Sequence, residues 1–322
     1  MIRIAIVGYG NLGRGAAAAA LAAEDTQLCG IFTRRPAGAL CGVPAGVPVY
    51  AADSIAAHRG DLDVLLLCGG SRGDLPVQTP RMARDFHVVD SFDTHAEIAA
   101  HFARVDAAAR AGGKVALVAA GWDPGLFSLA RLYAEAAMPA GKTYTFWGAG
   151  VSEGHSQAAR RVPGVADARA YTLPKVDALT AVRQGGTPPL APRDMHRRVC
   201  YVVPTADADR DATARAICNT PAYFADYDTE VHYITKEEMA REHAALPHGG
   251  SVLRNGDAGG ECRMEFSLRL ASNPAFTGSM LVAAARAVFR AAARGEVGCR
   301  TLFDIPPADL HPHPDTARAE LL

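Results

Sequence analysis

Long apolar runs, blocks of like charge and secretion signals are all missing from this sequence. The longest apolar runs, at residues 16–23 and 64–68, fall far short of the roughly 18–20 residues that a membrane span requires. The formal net charge of −1, with no basic block, argues against nucleic acid or an anionic membrane as the main partner. The apolar segment at residues 2–7 is too short for a signal peptide, so we expect a cytoplasmic protein.

Paired cysteines and clustered metal ligands are also missing. The seven cysteines are an odd number and form no C-x-x-C pair, which predicts reduced, mostly buried thiols. His311 and His313 resemble a short metal-binding tract, but no further ligands cluster around them. We therefore expect no metal site.

Over residues 1–121 the sequence alternates between strand and helix patterns. Strands are predicted at residues 2–7, 28–33, 47–50, 63–68, 87–89 and 115–119, and helices at 11–23, 80–86 and 97–112. This alternation predicts an α/β fold with a Rossmann-type, doubly wound parallel sheet. We expect a C-terminal helix at residues 278–294 and the tail to complete this dinucleotide-binding domain, over residues 277–322.

A second, α+β domain is predicted over residues 122–276, where the pattern changes. Strand patterns at residues 143–147, 169–173, 199–203, 230–234 and 264–270 indicate a second sheet, and long Gly- and Pro-rich loops are predicted at 184–194 and 246–260. Long loops inside compact domains are often functional. We expect this domain to bind the substrate.

A glycine motif follows the first predicted strand directly. Gly8-Tyr9-Gly10-Asn11-Leu12-Gly13 fits G-x-G-x-x-G and opens a predicted helix, which is the context of a dinucleotide-binding turn. The first glycine permits the tight turn, the second lets the backbone approach a pyrophosphate, and the third permits close helix packing. The helix N-terminus adds N–H groups for phosphates. The alternative is a tight turn without a ligand.

The end of the second strand indicates which dinucleotide is bound. An NAD enzyme usually has an acidic residue there, but this strand ends in Thr33-Arg34-Arg35. Two guanidinium groups and a hydroxyl suit a 2′-phosphate, so the sequence favours NADP. The alternative is a solvated basic turn. Cys68-Gly69-Gly70-Ser71 ends a later strand, where the backbone can approach the nicotinamide half of the cofactor.

Two more segments follow parallel strands, at the edge where ligands bind in such sheets. They are Ser91-Phe92-Asp93 and Gly121-Trp122-Asp123-Pro124-Gly125. The carboxylates of Asp93 and Asp123 can hold a cationic substrate group, and either is a candidate general base. The alternative is that each caps a helix. Ser91, Phe92, Gly121, Pro124 and Gly125 are predicted to contact the cofactor.

Beyond these motifs, the chain resembles the meso-diaminopimelate dehydrogenases over nearly its whole length. The resemblance rests on the glycine motif, on residues 30–35 and 121–125, and on segments of the second domain. Those segments are Thr145-Phe146-Trp147-Gly148, Gly154-His155-Ser156, residues 160–165, Tyr171-Thr172-Leu173-Pro174 and Pro247-His248-Gly249-Gly250.

The resemblance implies an enzyme, substrate and set of site residues. The reaction is NADP-dependent, reversible oxidative deamination of meso-2,6-diaminopimelate at its D-centre, giving L-2-amino-6-oxopimelate and ammonia in lysine biosynthesis. The implied assembly is a homodimer. By motif position, Asp93, Trp122, Asp123 and Trp147 surround the reacting centre, Glu153 and Gly154 line the middle of the pocket, and Thr172, Arg198, His248 and Asn273 hold the distal L-end.

The chemistry of this substrate agrees with those roles, because a guanidinium fork at Arg198 suits a carboxylate. Without the resemblance, the alternative interpretation is that Arg198 is a surface cation and that His248 caps a loop. Glu153 departs from the uncharged side chain expected there.

Two alternative functions remain at this point. One is another NADP-dependent two-domain oxidoreductase acting on a D-amino acid, aldehyde, hydroxyl or imine; the other is a non-enzymatic NADP sensor.

Overall fold

The structure is a computed structural model that describes residues 1–322. The chain divides into two compact units. Unit 1 comprises Met1–Leu129 and Pro274–Leu322, and unit 2 comprises Ala130–Asn273. None of the helices combines the length and the hydropathy needed to cross a bilayer.

Strands and helices are numbered along the chain. The strands are β1 (Ile2–Val7), β2 (Thr26–Thr33), β3 (Val49–Ala51), β4 (Val64–Leu67), β5 (Val88–Asp90), β6 (Val115–Leu117), β7 (Ala140–Trp147), β8 (Gly150–Val151), β9 (Val165–Pro174), β10 (His196–Pro204), β11 (Asp228–Tyr233), β12 (His248–Asp257), β13 (Glu261–Leu270) and β14 (Gly298–Arg300). The helices are α1 (Asn11–Ala22), α2 (Leu75–Met82), α3 (Ile98–Gly112), α4 (Leu126–Ala137), α5 (Glu153–Arg160), α6 (Val176–Arg183), α7 (Pro192–Met195), α8 (Arg210–Cys218), α9 (Lys236–Glu242), α10 (Asn273–Ala293) and α11 (Pro314–Leu321).

Unit 1 is built on a seven-stranded parallel sheet, ordered β14-β6-β5-β4-β1-β2-β3. This confirms the predicted Rossmann-type fold. Apolar layers cover both faces of the sheet: in β1, Ile4 and Ile6 face one layer, and Ala5 and Val7 face the other. The first layer receives side chains from α1 and α10, and the second from α2 and α3. Burial on both faces explains why the strands are almost wholly apolar.

The helix predicted at residues 80–86 is wrong in its bounds, because the helix in the structure is α2, at Leu75–Met82. Its buried residues are Leu75, Thr79 and Met82, a spacing that places them on one helix face. Pro76 occupies the first turn, where a missing N–H is tolerated. The predicted helix begins at Pro80, because proline is common in the first turn of a helix. In the structure Pro80 lies inside α2.

Unit 2 contains two sheets, so the prediction of a single second sheet is wrong. One is ordered β11-β10-β9-β8, and the other is ordered β13-β12-β7. β10 pairs antiparallel with β9 and parallel with β11. β12 pairs antiparallel with both of its neighbours.

The loop predicted at residues 246–260 is also wrong, because β12 is the central strand of the smaller sheet. Its glycines suggest a loop, but in the structure they let neighbouring backbones approach. A Cβ at Gly249 would lie 2.2 Å from the carbonyl oxygen of Leu268, and one at Gly250 would lie 2.3 Å from that of Phe146. Glycine inside a strand often marks such an approach.

Candidate active site

The turn after β1 has the features that a dinucleotide needs. Gly8 has φ +94°, a conformation that favours glycine. A Cβ at Gly13 would lie 2.2 Å from the Gly8 carbonyl oxygen, whereas one at Gly10 would meet open space. Helix α1 begins without a side-chain cap and without an acidic residue in its first turn. Its N-terminal N–H groups therefore suit phosphate oxygens.

The end of β2 carries the residues expected to discriminate between nucleotides. Thr33 is buried, and its hydroxyl accepts a 3.2 Å hydrogen bond from the Arg35 N–H. The Arg35 guanidinium donates to the carbonyl oxygen of Tyr9, within the glycine turn. Arg34 is exposed and forms a 2.8 Å ion pair with Asp74. Both cations therefore follow the end of β2, which itself carries no acid, and their binding of a 2′-phosphate stays a prediction.

Asp74 was not singled out from the sequence, although it organises the loop after β4. One carboxylate oxygen pairs with Arg34, and the other accepts a 2.9 Å hydrogen bond from the Gly70 N–H. A Cβ at Gly69 would lie 2.6 Å from the Cβ of Asp74. Asp74 thus connects the Gly69-Gly70 turn to one of the predicted phosphate ligands.

Cys68 and Ser71, which flank that turn, have different environments. Burial raises the pKa of the Cys68 thiol to about 12, so this side chain stays protonated at neutral pH and is not a nucleophile. The Ser71 hydroxyl accepts hydrogen bonds from the N–H groups of Asp93, at 2.8 Å, and Thr94, at 3.2 Å. Ser71 therefore holds the segment that carries Asp93.

Asp93 and Asp123 follow the neighbouring parallel strands β5 and β6. Asp93 is exposed, and Asp123 is half-buried beside the buried Trp122. Helix α4 begins at Leu126, three residues after Asp123. The N–H groups of Leu126 and Phe127 donate to the carbonyl oxygens of Gly121 and Trp122, at 3.3 and 2.7 Å.

In unit 2, Arg198 and Thr172 face each other across β10 and β9. The Arg198 guanidinium donates to the Thr172 hydroxyl, and its Cζ lies 4.0 Å from the centroid of the Tyr227 ring. Arg198 is 5% exposed, and its Nε has no hydrogen-bond partner. Burial lowers the pKa of Arg198, while Tyr227 opposes that shift. A buried guanidinium without a carboxylate partner is suited to binding an anion.

Backbone contacts connect His248 and Asn273 to the strands that carry Arg198 and Thr172. Gly150 pairs with Thr172, and a Cβ at Gly150 would lie 2.4 Å from the Cα of His248. The Asn273 N–H donates 2.9 Å to the carbonyl oxygen of Leu246, two residues before His248. The four predicted distal-end residues therefore lie on neighbouring backbone segments of unit 2, and their joint role in binding stays a prediction.

Trp147 is oriented by His196, a residue that the sequence analysis missed. The backbone N–H of Trp147 donates a 2.8 Å hydrogen bond to His196 Nε2, and the two rings stack with centroids 5.3 Å apart. His196 is fully buried, and burial, with a smaller effect of Arg198, lowers its pKa to about 4. The ring is therefore neutral at physiological pH and keeps its acceptor nitrogen.

Glu153 is paired with a cation of its own helix. Its carboxylate accepts a 2.6 Å hydrogen bond from the Arg160 guanidinium, seven residues later on α5. Gly154, the next residue, is exposed. Because Arg160 neutralises this carboxylate locally, Glu153 repels substrate carboxylates less than an isolated acid would.

Comparisons with known proteins agree with this arrangement. Residues 121–272 match the family model described as "Diaminopimelic acid dehydrogenase C-terminal domain". The meso-diaminopimelate D-dehydrogenase of Acetivibrio thermocellus is 50% identical over 97% of this chain and 94% of that protein.

Solved structures also match the whole chain. The Corynebacterium glutamicum DAP dehydrogenase in complex with DAP has a TM-score of 0.93 at 41% identity, covering 100% of this chain and 99% of that one. An engineered D-amino acid dehydrogenase bound to NADP⁺ has a TM-score of 0.90 at 40% identity, with coverage of 100% and 99%. This chain belongs to the meso-diaminopimelate dehydrogenase family.

Proposed function

We propose that the protein catalyses the reversible, NADP-dependent oxidative deamination of meso-2,6-diaminopimelate at its D-centre. The products are L-2-amino-6-oxopimelate and ammonia, and the reaction belongs to lysine biosynthesis. The observation that carries the proposal is the buried Arg198, held by Thr172 and Tyr227 without a carboxylate partner. Such a guanidinium suits a second substrate carboxylate, which neither the D-amino acid, aldehyde, hydroxyl and imine alternatives nor a non-enzymatic sensor requires.

The two ends of the substrate require different groups, because each end carries an ammonium and a carboxylate. Arg198 provides a planar fork for the distal carboxylate, and the Thr172 hydroxyl holds that fork in place. His248 and Asn273 add polar groups beside them. Only stereochemistry distinguishes the two ends, so a grip on the L-end leaves the D-end as the one that reacts.

NADP fits the residues of unit 1. The glycine turn from Gly8 to Gly13 offers backbone N–H groups to the pyrophosphate, and Thr33, Arg34 and Arg35 surround the position of the 2′-phosphate. When bound, NADP accepts the hydride that leaves the substrate Cα.

The chain's own part in the chemistry is to remove a proton and to stabilise charge. The substrate ammonium must lose a proton before hydride can leave, because only a free amine has the lone pair that forms the imine. Asp93 and Asp123 are the carboxylates proposed to take this proton, directly or through ordered water. Their negative charges also stabilise the positive charge that develops on the nitrogen.

The proposed assembly is a homodimer formed through unit 2. β13 is an edge strand of the three-stranded sheet, and most of its ten side chains are exposed, including Met264 at 41% and Phe266 at 38%. A long exposed edge strand with apolar side chains is normally covered by a partner. Sedimentation should give a dimer mass, and Met264→Lys with Phe266→Glu should shift it toward the monomer.

The proposed location is the cytoplasm. All seven cysteines are free thiols, including the exposed Cys41, as is typical of a reducing compartment. Fractionation of cells that express the protein natively tests this location.

The deciding experiment measures NADP reduction with meso-, LL- and DD-diaminopimelate side by side. The meso isomer should react fastest, because it alone presents both a D-centre and an L-end for the distal grip. The LL isomer should not react. Comparable rates for the LL and meso isomers would refute the proposal.

A further inference from the structure

We propose that Asp90 is a positioning residue that fixes the two segments bearing Asp93 and Asp123 relative to each other. The inference rests on the proposed function, because it concerns the carboxylates assigned there to the reacting end. Asp90 itself is completely buried and is not proposed to touch the substrate.

The Asp90 carboxylate is the acceptor for donors from four places in the chain. Its Oδ1 accepts the N–H groups of Phe92, at 3.1 Å, and Ala119, at 3.0 Å. Its Oδ2 accepts the Thr79 hydroxyl, at 2.7 Å, and His101 Nε2 lies 2.8 Å from it. Phe92 directly precedes Asp93, and Ala119 lies four residues before Asp123, so one carboxylate contacts the backbone of both segments.

The backbone after β6 depends on this contact. Ala119 has φ +56°, in the left-handed region that non-glycine residues seldom adopt. Its N–H donates to the Asp90 carboxylate, and the next N–H, of Ala120, donates 2.9 Å to the Asp90 carbonyl oxygen. The unusual turn that leads toward Asp123 is therefore held by both the side chain and the main chain of Asp90.

His101 completes the arrangement from helix α3. Its ring stacks on Phe92, with centroids 4.1 Å apart and planes at 14°. Its Nδ1 is buried without a partner. Because Nδ1 has no partner, Nε2 is the ring nitrogen that donates to Asp90. His101 thus holds Asp90 and Phe92 in place rather than transferring a proton to the substrate.

This arrangement predicts a role beyond folding. Parallel strands are held together by their own backbone hydrogen bonds, whereas this carboxylate binds the loops that follow the strands. A displacement of about 1 Å in a catalytic group can cost roughly 100-fold in rate. Loss of the Asp90 acceptor should therefore lower kcat in molecules that remain folded.

The test compares four variants. Asp90→Ala removes the acceptor. Asp90→Asn retains an oxygen for the two backbone N–H groups but replaces the acceptor for Thr79 and His101 with an amide N–H group. Thr79→Val removes one hydrogen bond without changing the side-chain shape. Val105→Ala, in the same buried layer on α3, is the control, because it loosens packing without removing a hydrogen bond of the Asp90 carboxylate.

Two readouts separate positioning from general destabilisation. One is kcat at saturating NADP and meso-diaminopimelate, compared with the melting temperature. The other is acrylamide quenching of Trp122, measured in a Trp147→Phe background where it is the sole tryptophan, since the chain has 2. This second readout needs no substrate, so it tests the inference even if the wild type fails to oxidise meso-diaminopimelate, a result that would refute the proposed function alone.

Asp90→Ala should lower kcat about 100-fold and at least double the quenching constant. Asp90→Asn should recover only part of both, because it keeps the acceptor for Phe92 and Ala119 but not the one for His101. Thr79→Val should have a smaller effect than Asp90→Ala, in the same direction. Val105→Ala should change only the melting temperature. If Asp90→Ala does not fold, Thr79→Val decides. The inference is overturned if the folded variants keep wild-type quenching, or if Val105→Ala changes quenching and kcat as much as they do.

Discussion

Replacing Arg198 with methionine should separate the role of this guanidinium in binding from its cost to the fold. Methionine fills a similar volume, keeps contact with an aromatic ring through its sulfur, and removes the charge. The native side chain is 5% exposed, contacts Thr172 and Tyr227, and has no carboxylate partner. The substitution should therefore act on substrate binding and on stability in opposite directions.

The expected magnitudes follow from those contacts. A fork that binds a carboxylate makes two charge-assisted hydrogen bonds worth about 1.5–3 kcal/mol each. Their loss predicts a fall in kcat/KM for meso-diaminopimelate of roughly 10²–10⁴-fold. Burial lowers the pKa of Arg198, which means that the fold disfavours its charged form. Replacing such a buried cation by an apolar side chain should stabilise the free protein, by about 1–4 kcal/mol at most.

The assay measures kcat/KM for meso-diaminopimelate and D-alanine, together with urea unfolding of the free protein. The fall in kcat/KM caused by Arg198→Met should be much smaller for D-alanine, which has no distal carboxylate. Arg197→Met is the matched control, because Arg197 is the neighbouring residue but is half-exposed and paired with Glu230 at 2.7 Å. An unchanged ratio between the two substrates in Arg198→Met would refute the distal-grip model. Lower stability of the free variant would refute the argument from burial.

Three further predictions concern the cofactor, the base and pH. Arg34→Ala with Arg35→Ala should weaken NADP binding at least about 100-fold, as followed by fluorescence titration, and leave NAD binding almost unchanged; equal wild-type affinities for the two nucleotides would contradict this. Asp123→Asn should lower kcat strongly at a near-normal melting temperature, whereas a low melting temperature with unchanged activity per folded molecule would favour a structural role. Burial lowers the pKa of His196 from 6.5 to about 4, so the fold favours the neutral ring. The contribution of this ring to the free energy of unfolding is complete above pH 6.5 and is lost as the pH falls toward 4. His196→Gln should therefore flatten the pH dependence of urea unfolding in that range, and an unchanged slope would show that His196 is not the group responsible.

Local signals were enough to predict the parallel sheet of unit 1, although not the bounds of α2. The glycine motif and the apolar strands of unit 1 have short-range patterns, and the observed sheet agrees with them. The Thr33-Arg34-Arg35 segment differs from the acid expected at a fixed place after β2, and its role in binding NADP stays a prediction.

Long-range features were not predictable in this way. Asp90 ends a short buried strand and resembles any residue before a turn, and only the folded chain brings Thr79, His101 and Ala119 to it. His196 gives no sequence signal for its contact with Trp147, because the two residues lie on different strands, 49 positions apart. β12 was missed because close approach of backbones and loop flexibility both select glycine.

Unit 1 is formed by two separate stretches of the chain, and this affects the order in which the protein folds during synthesis. Unit 2 is one continuous stretch, whereas unit 1 lacks β14 and most of α10 until residues beyond 273 have left the ribosome. Leu281 and Val288 of α10 belong to the layer that covers β1, and Arg286 forms a 2.7 Å ion pair with Asp25. The nascent nucleotide-binding half therefore exposes one apolar face of its sheet while unit 2 is being made. That interval is when the chain is most open to aggregation and to chaperone binding.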